Sequence, residues 1–487
     1  MNRNTTRFAL PCLVALFLGA LYFRTLSPGL TWANDGADGG DLITAAATGG
    51  VPHPTGYPTY LAIASVFLKI PIGSLAFRTN LLSLICAVFA ALVVYGIVTA
   101  SGGSVFSAFL ASLAFGTFPL IWSQAIITEV NALNALFCAL IIFFLVARAP
   151  NSIADLAGGI ALGLGIGNHV TSAFLLPLLF VNELKHPSVI KGGFWTQSLP
   201  YAKAFARRIL GLCLGLSIYG ILPFRARSQS PVNWGDAVDP GGFLWLVTGQ
   251  MYRSRLDHLG GNYLWSGFQI WGNFLLEQAG VVGLALIFVV LAILYKSSRL
   301  YLVTAWIVLV YSAFSIIYYS PDSYVYLVPV LIALSIWMGL AGGWLVENIK
   351  WKKSFFKPLA SFCFLLLFVL RAIFMIPHMD LSTDRTAEQY ARAALDSAPP
   401  NAIIITTGDE ATFSLWYFHY AYHQRSDVAV VCSDLLSQPW YHRVLKYTYP
   451  GLIVPDTLSP QGVILANAQR PICQAGPNLD QRIECSR

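Results

Sequence analysis

Long apolar runs separated by short polar connections fill most of the chain before residue 377. A helix that crosses a bilayer needs roughly 17 to 25 mostly apolar residues, and on that basis the pattern predicts about eleven spans. The run 57–70 is too short to span and begins near Pro58, which is typical of a helix lying at the membrane interface. The predicted spans are 8–23, 75–99, 105–122, 130–146, two short tilted helices within 153–181 that turn at 167–169, then 209–223, 275–294, 301–318, 325–346 and 356–376.

Lys and Arg are concentrated in short connections between these runs, such as KSSR after Tyr295 and ENIKWKKSFFK after Val346. Basic connections stay in the cytoplasm, and so does the amino terminus with Arg3 and Arg7. The first run has no small-residue cleavage site, so we interpret it as a retained signal-anchor. We therefore expect a multi-pass protein of the plasma (inner) membrane, with the first loop (25–74) and the carboxyl end outside.

Composition agrees with this class, because 56% of the residues are hydrophobic, 11% are charged and the mean hydropathy is +0.63. These values exclude an ordinary soluble domain. The net charge of +7 could indicate an anionic partner. Membrane topology alone explains where the basic residues lie, so no nucleic-acid partner is implied.

The chain changes character after Pro377, where charged residues return and apolar runs shorten. AIIITTGD and DVAVVCSD each indicate a buried strand that ends in a turn, and residues 386–395 indicate a helix. We predict two units: a transmembrane catalytic domain at 1–377 and a small extracytoplasmic α/β domain at 378–487. Cys473 and Cys485 are near enough in sequence to form a disulfide in an oxidising compartment.

The first outer loop contains three carboxylates, Asp35, Asp38 and Asp41, and the stretch 35–60 contains neither Lys nor Arg. A helix that begins near Gly39 would carry these carboxylates at its amino end. Any one of them could simply be a helix cap. The alternative is a catalytic site, in which a carboxylate at the membrane edge deprotonates an acceptor hydroxyl while a lipid-linked donor lies in the outer leaflet.

The run from Asp38 to Ser83 resembles the amino-terminal signature of the protein O-mannosyltransferase-like branch of the GT-C membrane glycosyltransferases. In that signature an acidic D-S-G-E element precedes an alanine-rich helix, an H-P-P-G-Y-P-L-Y element and an R-x-N-L-L-S element. This chain departs from it at Gly39, Asp41 and Thr55. The positions that carry the resemblance are Asp38, Gly39, Gly40, Asp41, His53, Pro54, Thr55, Gly56, Tyr57, Pro58, Thr59, Tyr60, Arg78, Asn80 and Ser83, and shorter similar elements follow downstream, among them Thr128-Glu129-Val130, Asn168-His169 and Asn233-Trp234-Gly235-Asp236.

The resemblance implies transfer of a hexose such as mannose from a polyprenyl-phosphate donor to a hydroxyl of a protein or lipid. We expect no further cofactor and assign no metal ligands, and the sequence leaves the need for a divalent metal open. Asp38 would be the general base, and Asp41 and Glu129 would be the other catalytic carboxylates. Arg225 is our candidate ligand of the leaving phosphate, because a guanidinium can bind two phosphate oxygens. The remaining candidates for binding the phosphate or the sugar are His169, Asn168, His53, Trp234 and Tyr326.

Each binding candidate also has a plainer interpretation. Arg225 could be an interface arginine that reaches lipid headgroups, and Asn168 with His169 could be the polar tip of a helical turn. Trp234 and Tyr326 could be membrane-interface anchors, and His53 could only shape its loop. A transporter or flippase of lipid-linked saccharides is the alternative function, although transporters usually place charges near the bilayer midplane and show repeated halves.

Overall fold

The computed structural model describes residues 3–147, 151–185, 194–256, 261–294, 299–318, 320–348, 356–455, 459–476 and 483–486. Most of these residues are helical, and irregular or 3-10 segments join the helices. The helices before residue 378 are α1 Arg3–Thr25, α2 Gly39–Thr48, α3 Pro58–Phe67, α4 Leu75–Ala100, α5 Val105–Gly116, α6 Pro119–Ala125, α7 Asn131–Ile142, α8 Ser152–Asn168, α9 Phe194–Leu216, α10 Ile221–Ala226, α11 Pro240–Val247, α12 Gly261–Leu294, α13 Arg299–Ile317, α14 Val328–Asn348 and α15 Phe356–Met379.

Six helical stretches among the described residues are long and apolar enough to cross a membrane, or seven if α5 and α6 form one span. Several of the other predicted spans are shorter apolar helices, at Ala9–Thr25, Asn131–Ala147, Ser152–Asn168 and Val170–Val181. The count of about eleven is therefore not confirmed. The helical turn predicted at 167–169 is present, since α8 ends at Asn168 and a 3-10 segment begins at Val170.

The predicted span 105–122 is not a single straight helix, because α5 and α6 meet at an angle of 65°. Pro119 begins α6, and the residue before a proline is pushed out of helical conformation. Phe118 accordingly has an extended backbone, with φ of −64° and ψ of 132°. The bend directs the chain toward Glu129, which follows α6.

Helices α8 and α9 pack closely because both present glycines at the contact. A Cβ on Gly159 would lie 2.1 Å from the carbonyl oxygen of Arg208, and one on Gly163 would lie 2.5 Å from that of Leu212. Next to this contact the buried Arg208 forms an ion pair with Asp155 at 2.9 Å. Close backbone approach at small residues is the usual way in which membrane helices associate.

The described part of the chain after α15 contains four α-helices and a small sheet. The strands are β1 Ile403–Thr406, β2 Ala429–Cys432, β3 Ile472–Ala475 and β4 Glu484–Ser486, and the helices are α16 Thr386–Ser397, α17 Asp409–Trp416, α18 Pro439–Thr448 and α19 Pro460–Ala466. The strand order is β2-β1-β3-β4, with β1 parallel to both neighbours and β4 antiparallel to β3. The predictions of both strands and of the helix at 386–395 are confirmed, and Cys473 is disulfide-bonded to Cys485.

This tail packs on the first loop and on the start of α4. The Nε1 atom of Trp32 donates a hydrogen bond to the carbonyl of Glu410 at 3.1 Å, and the amide of Ala76 donates one to the hydroxyl of Tyr417 at 3.1 Å. The two segments therefore lie on the same side of the helical bundle. The division at residue 377 into two domains stays a prediction.

Candidate active site

Asp38 is the last residue of a short 3-10 turn and directly precedes α2. Its side chain forms no capping hydrogen bond with the helix. The cap interpretation therefore does not apply to Asp38, and its carboxylate instead lines a cavity. The helix predicted near Gly39 is present, and it places Asp41 in its first turn.

Asp41 faces the interior, where its carboxylate is fully buried and shared by two aromatic side chains. Its Oδ2 atom accepts hydrogen bonds from the backbone N of His53 at 2.9 Å and from the Nδ1 atom of the same residue at 2.7 Å. Its Oδ1 atom accepts one from Nε1 of Trp234 at 3.1 Å. A short parallel bridge between Val51 and Asn233 holds the two loops together and sets the position of Trp234.

His53 lies between two carboxylates, because its Nε2 atom is 3.4 Å from Oδ2 of Asp38. Burial alone would lower the pKa of His53, but the negative charge of Asp38 and the hydrogen bond and charge of Asp41 outweigh it and raise the pKa to about 10. Burial raises the pKa of Asp38, and the nearby charge of His53 opposes that shift. The ring is therefore an imidazolium at neutral pH.

The cavity beside Asp38 has a volume of about 680 Å³. Its walls come from the first loop, from the segments before α12 and α14, from the turn after α8 and from the tail. Of the residues predicted for the site, those that line it are Asp38, His53, His169, Trp234 and Tyr326.

Glu129 lies next to this cavity rather than in it. It lines a smaller cavity of about 60 Å³ together with Asp38, His169 and Tyr326. Its Oε1 atom is buried without a hydrogen-bond partner, while its Oε2 atom accepts one from the amide of Val130 at 3.1 Å. Burial, followed by the charge of Asp38, raises the pKa of Glu129 well above its usual range, which favours the protonated form of this side chain.

His169 and Tyr326 line both cavities, and their rings meet edge-on with their centres 5.5 Å apart. The Nδ1 atom of His169 is 2.7 Å from the hydroxyl of Thr171. Burial lowers the pKa of His169 to about 4, so the ring is neutral. A neutral ring can hydrogen-bond a sugar hydroxyl but brings no charge to a phosphate.

Three of the residues predicted for the site, Arg225, Asn168 and Asp41, do not line this cavity. Arg225 does not line the cavity: it donates hydrogen bonds to the carbonyls of Ala45 and Gly50, at 3.1 and 3.2 Å, and to the hydroxyl of Ser65 at 2.7 Å. It therefore holds the end of α2, outside the cavity that contains Asp38.

Asn168 is fully buried and donates from Nδ2 to the carbonyl of Val130 at 3.1 Å. It supports the turn that carries Glu129 instead of facing the cavity. Asp41 is likewise enclosed behind His53 and Trp234, so it is not placed to reach a substrate. Asn168 thus holds Val130 in place, and Asp41 holds His53 and Trp234.

Sequence reasoning missed the basic residues that do line the cavity, Arg253 and Arg255. Arg255 donates to the hydroxyl of Ser320 at 2.9 Å and lies over the ring of Tyr252, 4.8 Å from its centre. The charge of Arg255 lowers the pKa of Asp38, so the guanidinium is close enough to act on this carboxylate. The only signal in the sequence was two arginines, RSR, inside an otherwise apolar region.

An apolar cleft of about 250 Å³ adjoins the cavity and shares Ser320 and Pro321 with it. Its other walls are α12, through Ile270, Trp271 and Phe274, and the end of α13. A polar cavity that contains an arginine thus opens beside an apolar cleft between membrane helices. This arrangement suits an amphiphile with an anionic head.

The tail contributes the remaining wall of the cavity, including Asp409, Glu410 and Phe413. Asp409 begins α17, and burial followed by the charge of Asp38 raises the pKa of Asp409 to about 6. The described residues contain no group of three or more His, Cys, Asp or Glu side chains suited to a metal ion, and the need for a metal stays untested.

Comparisons with known proteins agree with this geometry. Residues 38–185 match the model of the TMEM260 protein O-mannosyl-transferase amino-terminal domain, and residues 387–461 match that of TMEM260-associated domain 2. The protein O-mannosyl-transferase TMEM260 of Mus musculus is 28% identical over 93% of this chain and 67% of its own length. The protein of the same name from Dictyostelium discoideum is 24% identical over 96% of this chain and 63% of its own length.

Two solved structures share the fold. ArnT from Cupriavidus metallidurans, bound to undecaprenyl phosphate, has a TM-score of 0.56 and 13% identity over 92% of this chain and 96% of its own. The oligosaccharyltransferase AglB from Archaeoglobus fulgidus, in complex with an inhibitory peptide and a dolichol-phosphate, has a TM-score of 0.52 and 12% identity over 91% of this chain and 71% of its own. Together with the helical bundle and the cavity, these likenesses define an integral membrane protein with a GT-C fold.

The matches in sequence are more specific than the fold. Within the GT-C class, this chain is similar in sequence to the protein O-mannosyltransferase-like enzymes, and these matches support a glycosyltransferase. The prediction of the family is confirmed.

Proposed function

We propose that this chain transfers a hexose, mannose or a similar sugar, from a polyprenyl-phosphate donor to a hydroxyl group of a protein or a lipid at the outer face of the membrane. The observation that carries the proposal is that one cavity brings together the carboxylate of Asp38, the guanidinium of Arg255 and the mouth of an apolar cleft. These are the three chemical features that such a reaction needs.

Asp38 is the general base. Its carboxylate is part-exposed to the cavity and makes no helix cap, so it is free to accept a proton from an acceptor hydroxyl. As the oxygen attacks the anomeric carbon, the bond between that carbon and the phosphate breaks on the opposite face. The raised pKa of Asp38 makes it a stronger base than an exposed carboxylate.

Arg255 binds the donor phosphate in place of Arg225. A guanidinium offers two parallel donors to phosphate oxygens and stabilises the negative charge that grows on the leaving group. The apolar cleft beside Ser320 would receive the first isoprene units of the donor. Neutral His169, Trp234 and Tyr326 line the space between and can contact sugar hydroxyls and the sugar face.

The acceptor is a protein or lipid whose hydroxyl enters beside the tail. TMEM260 of Mus musculus is named as a protein O-mannosyl-transferase, and the solved AglB structure holds a peptide, and both support a protein acceptor. The basic connections support an orientation with the first loop, the cavity and the tail outside the cytoplasm.

The test is transfer by purified protein from a panel of radiolabelled polyprenyl-phosphate sugars to envelope extract, with products separated into protein and lipid. Asp38→Asn keeps the size of the side chain but cannot accept the proton, so transfer should fall by roughly 10² to 10⁴ while donor binding stays. Asp35→Asn is the comparison variant: Asp35 also lines the cavity, but it is an exposed carboxylate that accepts a hydrogen bond from Tyr324, so its effect should be milder.

Transfer by Asp38→Asn at the wild-type rate would remove Asp38 as the base. Absence of transfer with every lipid-linked donor, combined with movement of lipid-linked saccharide across vesicles containing wild-type protein, would instead establish a flippase.

A further inference from the structure

We propose that His53, held in place by Asp41 and Trp234, is a positioning residue that keeps Asp38 in its ionised, proton-accepting form. The inference rests on the proposed function, because it assigns a task to the groups behind the general base. In this proposal Asp41 holds His53 in place, His53 acts on Asp38, and neither residue contacts the substrate.

The hydrogen bonds fix the imidazole ring in a single orientation. Asp41 accepts from the backbone N and from Nδ1 of His53 with the same oxygen, which anchors both the ring and the loop that bears it. The second oxygen of Asp41 accepts from Trp234, so the carboxylate cannot rotate without losing a bond. With Nδ1 committed to Asp41, the Nε2 atom of His53 lies 3.4 Å from Oδ2 of Asp38, close enough for an ion pair.

Neighbouring rings hold the imidazole from the other sides. The ring of Phe413 is nearly parallel to it, with an interplanar angle of 13° and centres 6.3 Å apart, and the ring of Tyr57 meets it edge-on at 5.0 Å. His53 itself is only 6% exposed. A buried ring that is held by this many contacts is suited to keeping a positive charge at a fixed position beside Asp38.

The charges around Asp38 explain why the base needs a cation. Most of the ionisable groups that face it are acids, and its pKa would rise further without a positive charge at short range. Arg255 is the other cation acting on it among the described residues. The ionisable groups whose charges act on Asp38, or feel its charge, are His53, Asp41, Asp322, Arg255, Glu129, Asp409, Tyr57 and Tyr252.

The sequence of proton positions follows from this arrangement. Before reaction the imidazolium pairs with both carboxylates, and Asp38 is ionised. When Asp38 accepts the proton of the acceptor hydroxyl it becomes neutral, and His53 keeps its charge because Asp41 still pairs with it. The ion pair with Asp41 therefore lets His53 stay protonated when Asp38 becomes neutral during the reaction.

Two substitutions at His53 separate this role from direct binding of the donor phosphate. His53→Asn keeps a donor near the Nδ1 position, toward Asp41, and His53→Gln keeps one near the Nε2 position, toward Asp38. Neither carries a charge. Both should move the acid limb of the kcat/KM profile to higher pH by roughly 1 to 3 units, with the rate recovering above the new midpoint.

A phosphate ligand would behave differently, because its loss would raise the KM for the donor at every pH and leave the midpoint unchanged. That result would overturn the inference. His423→Asn, at an exposed histidine of the tail, is the matched control and should leave the profile unchanged.

A second readout does not depend on sugar transfer. Carbodiimides react with protonated carboxyl groups, so the pH at which Asp38 becomes modified, followed by fragment mass spectrometry of the intact membrane protein, reports its titration directly. The modification midpoint should rise in both His53 variants relative to wild type. An unchanged midpoint would refute the inference even in a protein that transfers sugar, and a raised midpoint would support it even if the donor proves to be different.

Discussion

Gly40 lies against the backbone of Phe413, at the contact between α2 and α17. A Cβ on Gly40 would come within 2.4 Å of the carbonyl oxygen of Phe413. No side-chain rotation can relieve that overlap, since the obstructing atom belongs to the main chain. Helix α2 and the tail helix α17 are thus packed backbone to backbone, next to the cavity that is lined by Asp38, just before α2, and by residues of α17.

We therefore expect Gly40→Ala to loosen the tail from the first loop. Overpacking of this kind typically costs about 1 to 3 kcal/mol, because the backbone must shift. Thermal unfolding and limited proteolysis of the tail measure the effect, and sugar transfer should fall with them. The control is Gly272→Ala in α12, where a Cβ meets nothing within 4 Å. Equal stability of the two variants would contradict a close fit at Phe413.

The two arginines near the site predict opposite phenotypes. Arg255→Gln should raise the KM for the lipid-linked donor by about 10- to 100-fold, because a charge-assisted hydrogen bond to phosphate is lost. Arg225→Gln should leave that KM nearly unchanged and lower the midpoint of thermal unfolding, because the carbonyls of Ala45 and Gly50 lose their donor. A rise in KM with Arg225→Gln alone would reverse our assignment.

This pair of arginines also shows what the sequence could and could not predict. Arg225 follows an apolar run directly, which made it the natural candidate for a phosphate at the membrane edge. In the folded chain it turns toward the carboxyl end of α2, which is distant in sequence. Arg255 is the residue in the cavity, and its partner Ser320 lies 65 positions further along the chain. Only the tertiary fold decides between them.

Other parts of the site were predictable because they are local. Asp38 directly precedes the helix that begins at Gly39, and Asp41 lies in its first turn. His53 follows within the same motif. Hydrophobic runs located most of the long apolar helices, but the predicted number of full spans is not confirmed, because six or seven stretches among the described residues are long enough to cross a membrane. At Pro119 the apolar composition hid a bend of 65°, although the proline itself was a local signal for it.

The charge of His53 predicts how stability depends on pH. Its pKa in the folded protein, about 10, is above the ordinary value of 6.5. The stabilisation from its ion pairs is therefore fully present below about pH 6.5 and is lost as the pH rises toward 10. The difference in unfolding midpoint between wild type and His53→Gln should shrink steadily across that range. A difference that stays constant with pH would mean that His53 is not an imidazolium in the folded protein.

The docking of the tail on the first loop makes a prediction about topology that does not depend on counting spans. Because Trp32 hydrogen-bonds Glu410 and Arg24 forms an ion pair with Asp380 at 2.9 Å, the loop and the tail must lie on one side of the membrane. We expect this side to be outside, since the basic connections belong to the cytoplasm. Lys352, in one of those connections, falls outside the described residues and should be labelled only from the cytoplasm.

Single cysteines can test this arrangement in intact cells, in a background that lacks the exposed Cys12, Cys213 and Cys363. Lys69→Cys and Ser437→Cys, both at exposed positions, should react with an impermeant maleimide added outside, whereas Lys352→Cys should react only after the membrane is opened. Opposite labelling of the first two would contradict the docked tail. Labelling of both only in opened cells would keep the docking but place the candidate active site in the cytoplasm, where the proposed acceptor and donor would have to be found instead.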